Sequence, residues 1–210
     1  MKTKRTIWLA VVVMLAVGIN ASASIVTFEM GYIFEGPGIP FSPGPWVIAE
    51  FDDGDTVGTV DLTIEATNLG GFNEKIAKVF FNLDPILDPA DLNFSLSGKV
   101  GDFADPTVSL SANTYQADGD GIYDILIDFD TDTAGAFNGG ESVLFSISYA
   151  GITAGSFDYM SLPGGGKGPF PAAVHLLGLG EDQNSAWATV PEPATMLILG
   201  LGSVLLRKRK

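Results

Sequence analysis

Apolar and polar residues alternate along most of this chain, the period of a strand with one dry face and one wet face. Between residues 59 and 66, Val60, Leu62, Ile64 and Ala66 interleave with Thr59, Asp61, Thr63 and Glu65. Leu92, Phe94 and Leu96 alternate with Asn93, Ser95 and Ser97. Val143, Phe145, Ile147 and Tyr149 alternate with Leu144, Ser146 and Ser148. Further strands are predicted at 25–34, 47–51, 76–83, 107–110, 123–129 and 172–177, and a single helical turn at 88–92.

Turn formers punctuate these runs: Gly36-Pro37-Gly38, Asp53-Gly54, Gly70-Gly71, Asp118-Gly119-Asp120-Gly121, Asn138-Gly139-Gly140 and Pro163-Gly164-Gly165-Gly166. Glycine supplies positive φ at such points, and Asn and Asp tolerate it. About nine short strands spaced this way predict an all-β single domain, an antiparallel β-sandwich or jelly roll. No stretch between the termini reads as an amphipathic helix.

The two ends follow a different pattern. Lys2, Lys4 and Arg5 precede an apolar stretch at 7–19, and Ala21-Ser22-Ala23 supplies a small-x-small cleavage pattern. Thirteen or so residues make a helix of roughly 20 Å, short of the roughly 30 Å of a bilayer core, so a removable signal peptide at 1–23 is the expectation. A retained anchor is the alternative. At the other end Pro191-Glu192-Pro193 precedes an apolar run at 194–206 and the terminal Arg207-Lys208-Arg209-Lys210. The basic cluster should stay cytoplasmic under the positive-inside rule, leaving the body outside the inner membrane. Gly200 and Gly202 weaken this second segment by about 1 kcal/mol each relative to alanine. It reads as a transient anchor, flanking the domain as a C-terminal hydrophobic helix, with an ordinary C-terminal anchor as the alternative.

Val190-Pro191-Glu192-Pro193, the apolar helix and the Arg/Lys cluster, in that order, resemble the PEP-CTERM sorting signal of exopolysaccharide-producing bacteria. The resemblance covers 190–210. It implies handling by an exosortase-type membrane enzyme that cuts near the tripeptide, and delivery to the cell surface or extracellular matrix. The body at 24–189 is similar, more loosely, to β-sandwich bodies often joined to such tails. Its marks are Val79-Phe80-Phe81-Asn82-Leu83, Ala117-Asp118-Gly119-Asp120-Gly121-Ile122-Tyr123-Asp124, Phe137-Asn138-Gly139-Gly140-Glu141 and Ala172-Ala173-Val174-His175. That likeness implies no catalytic residues.

Setting the ends aside changes the charge balance. The full chain carries −14, but residues 24–189 hold four lysines and no arginine against 24 acids, a net charge of −20. Nucleic acid, whose binding needs clustered Lys and Arg, is excluded as a partner. There is no cysteine, so neither disulfides nor thiolate chemistry contribute.

Asp118, Asp120 and Asp124 stand at the spacing of calcium loops of the form D-x-D-G-x-x-D, where a tight turn converges hard oxygens. Gln116 and Ile127 stand where fuller versions place acids, and a solvated hairpin turn is the competing reading. Asp124, Asp128, Asp130 and Asp132 share a parity that predicts an acidic, wet face. Asp52-Asp53-Gly54-Asp55 reads as a loop cap. His175, the only histidine, is expected to be structural: no Gly-x-Ser-x-Gly elbow offers it a nucleophile. The run 164–168 lacks the first glycine and the Ser/Thr of a phosphate loop and is expected to be a flexible loop. Trp46 and Trp187, the tryptophans of the body, are the candidates for a carbohydrate platform. A non-catalytic matrix-associated protein is the leading expectation, followed by a glycan-binding module contacting exopolysaccharide and then an exported hydrolase.

Overall fold

A computed structural model describes residues 24–53, 56–70 and 73–191. It is all-β, with twelve strands in two antiparallel sheets: β1 Ile25–Met30, β2 Tyr32–Glu35, β3 Val47–Asp52, β4 Thr59–Ala66, β5 Lys75–Phe81, β6 Asn93–Val100, β7 Thr107–Gln116, β8 Ile122–Asp128, β9 Phe137–Asn138, β10 Ser142–Ser148, β11 Ala172–Leu179 and β12 Asn184–Thr189. The five-stranded sheet runs β1-β3-β4-β10-β6, and the seven-stranded sheet runs β2-β12-β11-β5-β8-β7, with β9 beside β5. The sandwich class anticipated from alternation is therefore the fold. Among the described residues no helix is long and apolar enough to cross a membrane. The expected signal helix at 1–23 and hydrophobic helix at 194–206 lie outside the described residues.

The alternation works as the sheet requires. Val60, Leu62 and Ile64 of β4 face inward at 0% exposure, opposite Ile147, Phe145 and Val143 of β10 in register. The seven-stranded sheet answers with Val79 and Phe81, Ile125 and Ile127, and Val174 and Leu176. Phe51 lies at the centre, stacked on Phe157 at 4.1 Å and edge-on to Phe81 at 5.1 Å. Burying each such side chain contributes about 1.5–3 kcal/mol, and Phe51→Ala would cost about 3–5 kcal/mol. The helical turn forms at Pro89–Asp91, capped by the Asp88 carboxylate, which accepts the Ala90 N–H at 3.0 Å.

Besides the two-residue β9, which was not anticipated, three elements differ from expectation. The predicted strand 25–34 is two strands, because the chain leaves one sheet for the other at Gly31. There it meets Gly44 so closely that a Cβ on Gly44 would lie 2.8 Å from Gly31 Cα. Strand β7 continues six residues past Leu110, through a register shift and a left-handed Asn113 (φ 50°). β12 was not anticipated: its inward residues, Ala186 and Ala188, are small and leave a faint apolar signature.

Candidate functional site

Both faces of the seven-stranded sheet bury apolar residues. Its outer face carries a second cluster, with Phe34, Phe80, Ala117, Tyr123 and Ala173 buried and Tyr115, Leu126, Phe170 and Trp187 packed at the margin. Part of it is roofed by the segment after residue 158. Phe170 rests on Phe34 at 4.6 Å, Leu162 pairs with Ile122, and buried Asn82 donates to the carbonyls of Tyr159 and Pro171 at 3.1 Å. The Tyr123 phenol beneath this roof is fully buried with no well-formed hydrogen bond; Ser161 Oγ beside it accepts the Phe170 N–H. Burial pushes that phenol far above its ordinary pKa. Ser161 opposes the rise and the Asp120 charge adds to it.

The rest of the outer face is open, and its residues are aligned by register. Glu35, Trp187, His175, Lys78, Asp128 and Thr107 are successive cross-strand partners from β2 through β12, β11, β5 and β8 to β7. Directly opposed residues on antiparallel strands project to the same side, so these six form one row across the sheet. Trp187 and His175 stack at 4.2 Å and 9°, Trp187 also meets Phe80 at 5.7 Å, and Lys78 Nζ lies 3.6 Å from Asp128 Oδ2. Burial, and next the Lys78 charge, hold His175 below the ordinary histidine pKa, against an opposing pull from Asp118. A groove of about 390 Å³ opens here. Phe80, Leu126, His175 and Trp187 line it from the sheet, and Thr114, Tyr115 and Gln116 from the end of β7.

The paired carboxylates of the β7–β8 turn separate in space. Asp118 and Asp120 meet Glu35 of β2, and one oxygen from each lies within 4.8 Å of the others, an arrangement that could hold a hard cation. Lys167 already places an ammonium there: Nζ is 2.6 Å from Glu35 Oε2 and also donates to the Phe34 carbonyl. Hydrogen bonds from Lys167 and Gly36, with the Lys167 charge, hold the Glu35 carboxyl below its usual range. Asp120 is 4% exposed and accepts the Lys167 backbone N–H. The glycine run around Lys167 is what lets the loop lie this close, since a Cβ on Gly166 would sit 1.4 Å from Asp120 Oδ1. The segment expected to be a flexible loop is thus packed on the hairpin.

Asp124 is elsewhere, which corrects the wet face expected from parity: it is 8% exposed. Its two oxygens accept the N–H of Leu83 at 3.0 Å and of Asn113 at 2.7 Å. Asp128 and Asp130 do face water. Asp53 caps a loop as expected, accepting the N–H groups of Ser24 and Ala154. Trp46 is 6% exposed and donates to the Ser42 carbonyl, leaving Trp187 as the accessible one of the two described tryptophans. Sequence reasoning missed Glu35 and Lys167, which lie far from the turn in sequence; no local spacing could have linked them.

A cavity of about 510 Å³, lined by Tyr32, Phe34, Lys167, Phe170, Thr189, Val190 and Pro191, marks where the chain leaves the body. Thr189 is 1% exposed, its hydroxyl donating to the Ala172 carbonyl at 2.5 Å and its carbonyl accepting the Gly31 N–H at 3.1 Å. Pro191 follows two residues later; Glu192 and Pro193 lie outside the described residues. These features define a β-sandwich protein whose last strand runs straight into a C-terminal tail. Residues 189–210 match the PEP-CTERM protein-sorting motif, the recognition signal of exosortase-type enzymes. The chain therefore carries a PEP-CTERM tail and is exported and sorted at the membrane. The match spans the tail alone, and no curated protein and no solved structure matches the chain.

Proposed function

We propose that the body is a non-catalytic protein of the extracellular matrix, delivered by its tail and holding to polysaccharide once there. The observation that supports the polysaccharide reading is the half-exposed row through Trp187, His175 and Lys78, bordered by the groove. Aromatic carbon beside hydrogen-bonding groups in a pre-formed concavity suits an amphipathic ligand, and flat rings stack on the apolar faces of sugars. A hydrolase reading is weaker. A glycosidase needs a carboxylic acid whose pKa is raised, whereas Glu35, grouped with Asp118 and Asp120, is shifted downward.

Export and sorting follow from the tail; attachment to matrix is the further step, and co-sedimentation tests it. The processed protein, recovered from the envelope, is mixed with exopolysaccharide purified from the same bacterium and centrifuged. Retention in the polysaccharide pellet is expected. Recovery of all the protein in the supernatant overturns the reading.

A further inference from the structure

We propose that the groove between the end of β7 and the outer face of the seven-stranded sheet is a binding site for a neutral hexose polymer, with Trp187 as its anchoring ring. The inference rests on the polysaccharide reading above and assigns that reading a place and a ligand class.

The place follows from what is rigid and what is open. Trp187 is held from two sides by His175 and Phe80, at 4.2 and 5.7 Å, yet keeps a partly exposed ring. A ring fixed in advance costs little further entropy when a ligand settles on it. Tyr115 adds a second partly exposed aromatic from the opposite wall, and Thr114 and Gln116 next to it are exposed. The Thr114 hydroxyl is engaged with Ser111 Oγ and the Ala112 carbonyl, so Gln116 is the polar residue this wall offers to the equatorial hydroxyls of a pyranose whose C–H face meets the rings. The groove's volume of about 390 Å³ falls in the ordinary range for small-ligand clefts and suits one or two sugar rings.

The ligand class follows from charge. Among the described residues Lys78 is the one cationic side chain lining the groove, and it faces Asp128 at 3.6 Å. His175 resists protonation for the reasons given above and brings no positive charge at neutral pH. Glu35, Asp118 and Asp120 gather at the Trp187 end of the row, where Lys167 pairs with Glu35 and one ammonium faces three carboxylates, and residues 24–189 as a whole carry −20. A polymer of uronic acids would meet net repulsion here. An uncharged hexose polymer pays no such penalty.

The test uses the processed protein in affinity electrophoresis through gels containing dextran, galactomannan or alginate, and in parallel the native exopolysaccharide pellet assay. Wild type is expected to be retarded by dextran or galactomannan and not by alginate. Trp187→Ala is expected to weaken retardation about tenfold or more, the scale of a binding hot spot. Gln116→Ala, an exposed change that leaves the core intact, should weaken it several-fold and guards against an unfolded Trp187 variant. Retardation by alginate alone, or by neither neutral polymer, overturns the ligand class. Unchanged binding by Gln116→Ala and a folded Trp187→Ala overturns the place, even where the pellet assay shows that polysaccharide is bound. Failure of the pellet assay itself removes the reading beneath both.

Discussion

Replacing Asp124 with alanine should loosen the sandwich more than any other single change to a carboxylate of the β7–β8 region. Its side chain ties three segments together: β8, which carries it, the end of β5 through Leu83 N–H, and the left-handed Asn113 of β7. Alanine leaves two N–H donors without an acceptor, one buried and one partly buried. An orphaned buried donor costs about 1–3 kcal/mol and a partly buried one less, so the pair amounts to about 2–5 kcal/mol. In a domain of this size each kcal/mol moves the midpoint by about 2–4 °C, and the expected loss is about 10 °C in a thermal melt followed by circular dichroism. Asp124→Asn keeps one oxygen to accept the shorter bond and should lose about half as much. Asp118→Ala, at an exposed side chain on a left-handed backbone (φ 51°), should cost less, about 1 kcal/mol. The ranking should be the same in calcium and in EDTA, because this carboxylate serves backbone donors. A melt of Asp124→Ala within about 2 °C of wild type, or no lower than that of Asp118→Ala, would refute the reasoning.

Two further outcomes can be checked on the same preparation. The folded state holds His175 below the ordinary value of 6.5, so the unfolded chain binds the extra proton first and stability falls as pH drops through about 6.5. His175→Phe, which keeps the stack on Trp187, should show a shallower loss between about pH 7.5 and 5.5; an identical slope would show that the ring does not report. The contribution of Glu35, whose carboxyl is held below its ordinary 4.5, is lost only at lower pH and leaves that window clear. Gly166→Ala places a methyl group where Asp120 Oδ1 now lies and should release the loop, costing about 1–3 kcal/mol. Limited trypsin digestion should then cut after Lys167 faster than in wild type, and an unchanged cleavage rate there would count against the packing described.

How far the sequence disclosed this molecule depends on whether neighbours in space are neighbours in the chain. β4 and β10 were legible because each has one dry face of Val, Ile, Leu or Phe and one wet face. β12 escaped notice because Ala-Trp-Ala inverts the usual size pattern, with small residues inward and the large ring outward. Asp124 was misread because parity reports the side of a strand, not whether another segment covers that side. The convergence of Asp118 with Asp120 was local and visible. Their meeting with Glu35 brings the β7–β8 turn to β2, four strands from β8 in the same sheet, and the pairing of Glu35 with Lys167 comes from a loop whose glycines looked like slack.

One consequence remains in the way the last strand ends. The sorting motif and the body overlap at Thr189, a residue fixed on both sides within the seven-stranded sheet. Two residues of extended chain reach about 7 Å, so Pro191 cannot move farther than that from folded structure. Cargo and address are joined with no slack between them. Tyr32, Lys167 and Phe170 line the cavity beside Pro191, the first residue of the tripeptide, so whatever reads that residue must approach almost to the surface of the sandwich. A body that failed to complete its final strand would present the same letters on a loose cord, so the state of the fold is written into the geometry at which the label is met.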